Sequence, residues 1–391
     1  MDRLIYLDNA ATSFPKPEPV YAFMDQFFRR CGVNPGRSGY DRCMEAGLLV
    51  EETRRELMTF FGGRDPNRLV FSLNSTDALN LAIFGLLEAG DHAVTTTLEH
   101  NSVLRPLYHL AGRGVDVDHV SFDARGFVDP DEIARAFRPN TKLVVVNHAS
   151  NVIGTVQPIA DIGRRCRERG VTFLIDASQT AGKVPIDVEA MCVDVVAFTG
   201  HKSLMGPTGI GGLYVGEHVN VRLTRAGGTG VRSAVRTHLE EYPWRLEYGT
   251  PNLLGIAGLH AGVEWVSERG LDTIHRAEMA LMTSLRDGLR EIDGVTLYCQ
   301  DELDDHIAVL AFNVRGYEAA DVGTLLDVDY EVACRTGLQC APRLHEQIGT
   351  ADLHGAVRLS VGPFNTPDHI ATVVEAVREI AAARAGRPVR G

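Results

Sequence analysis

The stretch AFTGHKSLMGPTGIGG, residues 197 to 212, ends an apolar run in Thr199, His201 and Lys202 and passes at once into glycine-rich chain. A lysine at a strand end, beside backbone that can lie flat under a ligand, is a candidate covalent anchor. Residues of matching chemistry recur at the ends of other apolar runs. SLNSTDALN (72–80) sets Ser75 and Thr76 behind Asn74 at a strand-to-helix junction, where free N–H groups suit a phosphate. TLEHNS (97–102) places His100 just past a strand, and NHASNVIGT (147–155) does the same for Asn151. LIDASQTAG (174–182) supplies Asp176 at a strand end, with Gln179 three residues on.

A phosphate cradle, a strand-end carboxylate and a strand-end lysine together fit pyridoxal 5'-phosphate. Lys202 would form a Schiff base with the aldehyde, and Asp176 would keep the pyridine nitrogen protonated, making the ring an electron sink. His100 can stack on the ring and serve as acid or base. Gln179 can bond the ring hydroxyl, and Thr199 and His201 can reach the phosphate. Each residue alone has an ordinary explanation: a helix cap, a solvated lysine, a satisfied polar histidine. Their joint occurrence at successive strand ends carries the expectation. Rival sites lack essential parts. AGKV (181–184) has neither the leading glycine nor the hydroxyl of a P-loop, and the G-x-G of GPTGIGG precedes a strand, not a helix. HEQIG (345–349) has Gly349 where a zinc motif needs its second histidine, so no metal is expected.

The elements that must position these residues follow from periodicity. RLVFSL (68–73), HAVTTT (92–97), VDVDHV (115–120), KLVVVN (142–147), TFLIDA (172–177) and DVVAFT (194–199) read as strands. Helix patterns at 76–88, 102–112, 130–137 and 158–169 alternate with them, which implies parallel βαβ crossovers and a sheet buried on both faces. GGLYVG (211–216) follows the lysine loop without a helix and is expected to add antiparallel. Beyond residue 250 the texture becomes α+β, with helices over NLLGIAGLHAGVEWVSERG, LDTIHRAEMALMTSLRDGLREI and 367–384 and several strands between. The expected organisation is a large ligand-binding domain, 15–250, and a smaller one, 251–391, joined by the N-terminal segment 1–14. The tail ARAGRPVRG is expected to be disordered.

Composition bounds the function. The 391 residues carry a net charge of −12, which argues against nucleic-acid or anionic-membrane partners. No run approaches the roughly 18 apolar residues of a membrane span, and the N-terminus lacks a signal-peptide core, so a cytoplasmic protein is expected. Seven scattered cysteines with no C-x-x-C pair argue against a disulfide scaffold, and most are expected to be buried thiols in a reducing compartment.

As a set, LDNAATSFPKP, EHNS, HASNVIGTVQPI, LIDASQTAG, GHKSLMGPTGIGGLYV, YGTPN and RTGLQCAP resemble the class V aminotransferase family. Within it they are most similar to the short-loop (group II) cysteine desulfurases and selenocysteine lyases, from residue 5 to about residue 380. The resemblance implies a pyridoxal phosphate-dependent transferase of fold type I. Its large domain holds a mainly parallel seven-stranded sheet, a smaller C-terminal α+β domain follows, and two copies share the active sites. Lys202 would be both the Schiff-base lysine and the Cα proton base, and Asp176 and Gln179 would serve the ring. Asn151 would lie near the phenolic oxygen and His100 would stack. Ser75, Thr76, Thr199 and His201 would bind phosphate, and Thr250 would reach the phosphate of the neighbouring subunit. Arg358 would grip the substrate carboxylate, with Ala10, Ala11 and Arg37 lining the substrate end. Cys340 would take sulfur from L-cysteine as a persulfide, leaving L-alanine, for passage to an acceptor protein serving iron–sulfur cluster biogenesis, thiocofactors or tRNA modification. Selenocysteine lyase and other class V aminotransferase or β-lyase activities are the alternatives; a non-catalytic scaffold would have no use for Lys202, Asp176 and His100 together. Related short-loop members often carry two histidines where this chain has Leu338 and Gln339. Cys334, six residues before Cys340, is expected to pack a strand.

Overall fold

The computed structural model describes residues 4–35 and 38–385. The first part of the chain forms β1 (Ile5–Tyr6), α1 (Glu18–Cys31), α2 (Asp41–Phe60), β2 (Leu69–Ser72), α3 (Ser75–Leu86), β3 (His92–Thr96) and α4 (Asn101–Ala111). It continues with β4 (Asp116–Val120), α5 (Pro130–Arg135), β5 (Thr141–Asn147), α6 (Ile159–Arg169), β6 (Thr172–Asp176), β7 (Val195–Thr199) and β8 (Gly211–Val215). Then come α7 (Leu253–Arg269), α8 (Leu271–Arg290), β9 (Val295–Leu297), β10 (Val309–Val314) and α9 (Ala319–Tyr330). The last elements are β11 (Val332–Ala333), β12 (Arg335–Gly337), α10 (Pro342–Gln347), β13 (Ala356–Ser360) and α11 (Pro367–Ala385).

Seven strands form one sheet in the order β2-β8-β7-β6-β5-β3-β4. Its only reversed strand is β8, antiparallel to β7 and β2 as its direct connection from the lysine loop demands. Helices cover both faces, so successive strand residues must both be apolar. Leu143, Val145 and Leu174 point into one core with Leu79, Ile83, Val103 and Leu107 of α3 and α4. Val144, Val146, Phe173 and Ile175, one residue out of phase, point into the other, under α1, α2 and α6. Helix α7 also packs there through Ile256, Leu259 and Val263, although it begins after residue 250.

A second sheet, β12-β13-β10-β9, is antiparallel and backed by α8, α9 and α11. The N-terminal β1 pairs in parallel with β11, and Ile5 and Leu7 fill the second core. Between the two cores lies a buried ion pair, Lys183 Nζ to Glu278 Oε2 at 2.7 Å. The expected strands and helices are present to within a few residues; α1, α2, α10 and the short strands β1 and β12 are additional. Of the tail expected to be disordered, residues 383–385 instead close α11, and the rest, from residue 386, lies outside the described residues.

Candidate active site

The carboxyl ends of the parallel strands converge on a cavity of about 270 Å³, where ligands sit in open α/β sheets. Asn74 caps α3 by accepting a hydrogen bond from Asp77 N through Oδ1, which leaves the Ser75 and Thr76 end of the helix open to an anion. Gly211 makes room for this turn: a Cβ there would stand 2.6 Å from Phe198 O and 2.9 Å from the Asn74 backbone. Thr76 Oγ1 shares a hydrogen bond of 2.7 Å with Ser102 Oγ. Beside the helix end, Thr199 Oγ1 and His201 Nδ1 are buried with no partner. A polar atom left so costs about 1–3 kcal/mol unless a ligand satisfies it.

Asp176 ends β6. Ser178 N (2.9 Å), Ser178 Oγ (2.5 Å) and Ser75 Oγ (3.3 Å) all donate to its Oδ1, fixing the carboxylate and leaving Oδ2 for a cavity partner. Gln179 Nε2 donates to Ala10 O at 3.0 Å, which ties the N-terminal segment to the cavity wall. His100 caps α4: Ser102 N donates to its Nδ1 at 3.0 Å, so the neutral ring carries its proton on Nε2. Burial, with the nearby Lys202 cation, lowers the His100 pKa to about 4, so it is uncharged at neutral pH.

Lys202 is held through its own backbone. Its carbonyl accepts from Ser13 Oγ at 2.8 Å. The preceding His201 carbonyl accepts from Ser13 N (3.1 Å), Thr12 Oγ1 (3.0 Å) and Lys16 Nζ (2.6 Å). Gly182, at φ +96°, passes so close beneath that a Cβ would lie 2.3 Å from Ser203 O. Burial, reinforced by Arg358 and Arg335 against the pull of Asp176, lowers the Lys202 ammonium to about 8. An amine so tuned is neutral far more often than a surface lysine and is a competent nucleophile and base.

Opposite lies the second sheet's contribution: Arg335, Arg358, Gln339 and Cys340. Arg358 is buried, with Nη2 on Asp8 Oδ1 at 2.6 Å and Nη1 on Asn151 O at 2.9 Å. All seven cysteines are free, and Cys340 is the one that lines the cavity. Cys334 packs against the second core, where burial pushes its thiol up to about 12.

The family profile described as Aminotransferase class-V matches residues 5–373. The chain belongs to the class V aminotransferase family. Within the family it is similar to a probable cysteine desulfurase of Methanothermobacter thermautotrophicus, 34% identical, covering 96% of this chain and 94% of that protein. A cysteine desulfurase of Cronobacter sakazakii is 33% identical, covering 95% and 92%. The apo structure of the cysteine desulfurase from Thermococcus onnurineus NA1 superposes with a TM-score of 0.90 at 33% identity, covering 97% and 95% of the chains. That of the cysteine desulfurase CsdA from Escherichia coli has a TM-score of 0.87 at 28% identity and covers the same shares.

Members of the class V aminotransferase family depend on pyridoxal phosphate, and the residues here fit that group. An open helix end and two unsatisfied buried polar atoms await an anion, a carboxylate offers one free oxygen, and a deprotonatable lysine lies across from it. Ala10, Ala11, Ser75, Thr76, His100, Asn151, Asp176, Gln179, Thr199, His201, Lys202, Cys340 and Arg358, all singled out from sequence, meet in this one cavity. Thr250 does not: it lies in a separate surface groove. Arg37 lies outside the described residues. Ser102, Ser178 and Asp8 were not foreseen. Ser178 was recoverable, standing two residues after a strand-end aspartate in the pattern of an Asx-type turn.

Proposed function

We propose that this class V aminotransferase is a cysteine desulfurase, converting L-cysteine to L-alanine and retaining the sulfur as a persulfide on Cys340. The observation that carries the reading is that Cys340 shares one cavity with Lys202, His100 and Asp176. Ser75, Thr76, Thr199 and His201 would hold the phosphate of pyridoxal phosphate, Asp176 Oδ2 its ring nitrogen, and Gln179 and Asn151 its ring oxygen. The cofactor supplies an aldehyde that takes up amines and a ring that withdraws electrons from the substrate's Cα.

The chain's own residues do the rest. Arg358, already oriented by Asp8 and Asn151 O, offers its remaining N–H groups to the substrate carboxylate. The small side chains of Ala10 and Ala11 leave room beside it. Lys202 Nζ, near its midpoint at about 8, moves the proton at Cα. His100 would stack on the cofactor and hold its proton at Nε2. Cys340 Sγ, which lines the cavity with Arg335 and Arg358, attacks the substrate sulfur; as the S–S bond forms the Cβ–S bond breaks, and its electron pair stays with the carbon that, once protonated, becomes alanine.

The groove holding Thr250 measures about 710 Å³. Exposed Leu48, Met44 and Leu73 border it (55%, 53% and 60% exposed). We assign this apolar surface to a second copy of the chain, giving a homodimer in which Thr250 approaches the partner's phosphate site. Among the described residues no helix is long and apolar enough to cross a membrane. Seven free thiols suit a reducing compartment such as the cytoplasm, where a protein acceptor would collect the sulfur.

The test incubates purified protein with L-cysteine and a reductant and measures alanine and sulfide. Lys202→Ala should lose the yellow cofactor absorbance and all turnover, whereas Cys340→Ser should keep the colour and release no sulfide. Sulfide output from Cys340→Ser would rule out the persulfide step and favour selenocysteine lyase or another β-lyase.

A further inference from the structure

Cys340 sits in a turn that its backbone alone would not choose. Gln339 and Cys340 both adopt left-handed φ, +41° and +60°, in succession and without glycine. Such residues cost on the order of 1–3 kcal/mol each and persist only where their surroundings over-determine them. Here the surroundings are explicit. Asn151 Nδ2 donates to Gln339 O at 2.8 Å, and Asn101 N, at the open end of α4, donates to Cys340 O at 2.7 Å. The turn is thus bonded to the first sheet's side of the cavity, although the strands flanking it belong to the second sheet.

The Gln339 side chain, 4% exposed, turns away from these contacts. Its Nε2 donates to Ala356 O and its Oε1 accepts from His345 Nε2, each at 2.8 Å. The fully buried His345 is held in turn by Thr350 Oγ1, which donates to Nδ1 at 2.7 Å. Two residues on, Gln347 fastens α10 to the first sheet: Thr97 Oγ1 donates to its Oε1 and its Nε2 donates to Phe122 O, each at 2.6 Å.

We propose that Gln339 and His345 are positioning residues for sulfur transfer, a clamp that holds the Cys340 turn in its left-handed form against the cavity. The inference rests on the desulfurase reading and deepens it. Gln339 stands where related short-loop members often carry a histidine. Its amide suits a clamp because one end must donate to Ala356 O and accept from His345 at once. An amide does not titrate, so Gln339 takes no part in proton transfer. Burial lowers the His345 pKa to about 4, which keeps the donor arrangement intact at neutral pH.

The experiment uses the cofactor-loaded enzyme and three variants: Gln339→Met, His345→Leu and His345→Gln. Single-turnover formation of the Cys340 persulfide is followed by mass spectrometry. Without substrate, the alkylation rate of Cys340 by iodoacetamide is also measured. Gln339→Met and His345→Leu should slow persulfide formation about 10- to 100-fold, as expected for a displaced reacting atom. The KM for L-cysteine and the cofactor absorbance should stay within about twofold, because neither residue donates to substrate or cofactor. Alkylation should rise severalfold as the turn loosens. His345→Gln should restore most of both, since its amide can still donate to Gln339 Oε1. Wild-type persulfide and alkylation rates in Gln339→Met or His345→Leu would overturn the clamp and leave the desulfurase reading standing. A wild-type enzyme that forms no persulfide would sink the desulfurase reading, while the alkylation rates would still decide whether the clamp exists.

Discussion

Arg358 Nη2 donates to Asp8 Oδ1 at 2.6 Å, joining residues 350 positions apart in the chain. The contact places a planar cation at the cavity with its orientation already set, so little rotamer freedom is left to lose when a carboxylate binds. Arg358→Lys should raise the KM for L-cysteine about 10- to 100-fold, because an ammonium cannot reproduce the fork. Asp8→Asn should raise it less, since the guanidinium survives without its charged support. Steady-state kinetics check both, with cofactor absorbance showing that the site is intact.

The lowered Lys202 pKa predicts how apo-protein takes up the cofactor. Attack on an aldehyde needs the neutral amine, and with a pKa of about 8 its fraction rises through that pH and then levels off. The rate of yellow absorbance gain should therefore climb from pH 6 to about 8.5 and flatten beyond. An ordinary lysine would give about tenfold per pH unit up to pH 10. Stopped-flow absorbance distinguishes the two.

Glu99, fully buried beside His100, predicts a stability profile. Its Oε1 accepts from Thr96 Oγ1 (2.7 Å) and Asn147 N (3.0 Å), while Oε2 has no partner. Burial raises its pKa to about 8, so the folded protein holds a proton that the unfolded chain releases above about 4.5. Stability is therefore lost progressively from pH 4.5 to about 8, by a few kcal/mol at most, with no further loss above. Glu99→Gln keeps both accepted bonds and should flatten this dependence. Its gain in Tm over wild type should be larger at pH 8.5 than at pH 5.

Lys183 and Glu278 predict a mutational asymmetry. Glu278 is 1% exposed and depends on the lysine 2.7 Å away. Lys183→Met leaves that carboxylate buried and alone and should cost about 3–5 kcal/mol in urea unfolding. Lys183→Met combined with Glu278→Leu removes both charges and should recover most of the loss.

Much of the molecule was legible because the sheet is parallel and buried on both faces. Continuous apolar runs such as KLVVVN and TFLIDA then mark strands, and chemistry collects at their carboxyl ends. Helix α2 was less legible because Arg54 and Thr53 interrupt its apolar face; Arg54 is buried against Glu247, 193 residues away. Helix α10, six residues opening on Pro342, is too short to show a period. The grip of Ser13 and Lys16 on the lysine loop and the pairing of Asp8 with Arg358 depend on contacts far apart in sequence. No local pattern announces them.

The cavity is closed by segments 350 residues apart: Ala10 N donates to Ser360 Oγ at 2.9 Å, two residues from Arg358. The wall that Ala10 supplies is therefore complete only once a strand 350 residues further along has folded onto it. Fragments broken off ahead of β13 would carry the lysine and the thiol without the arginine and serine that complete their enclosure.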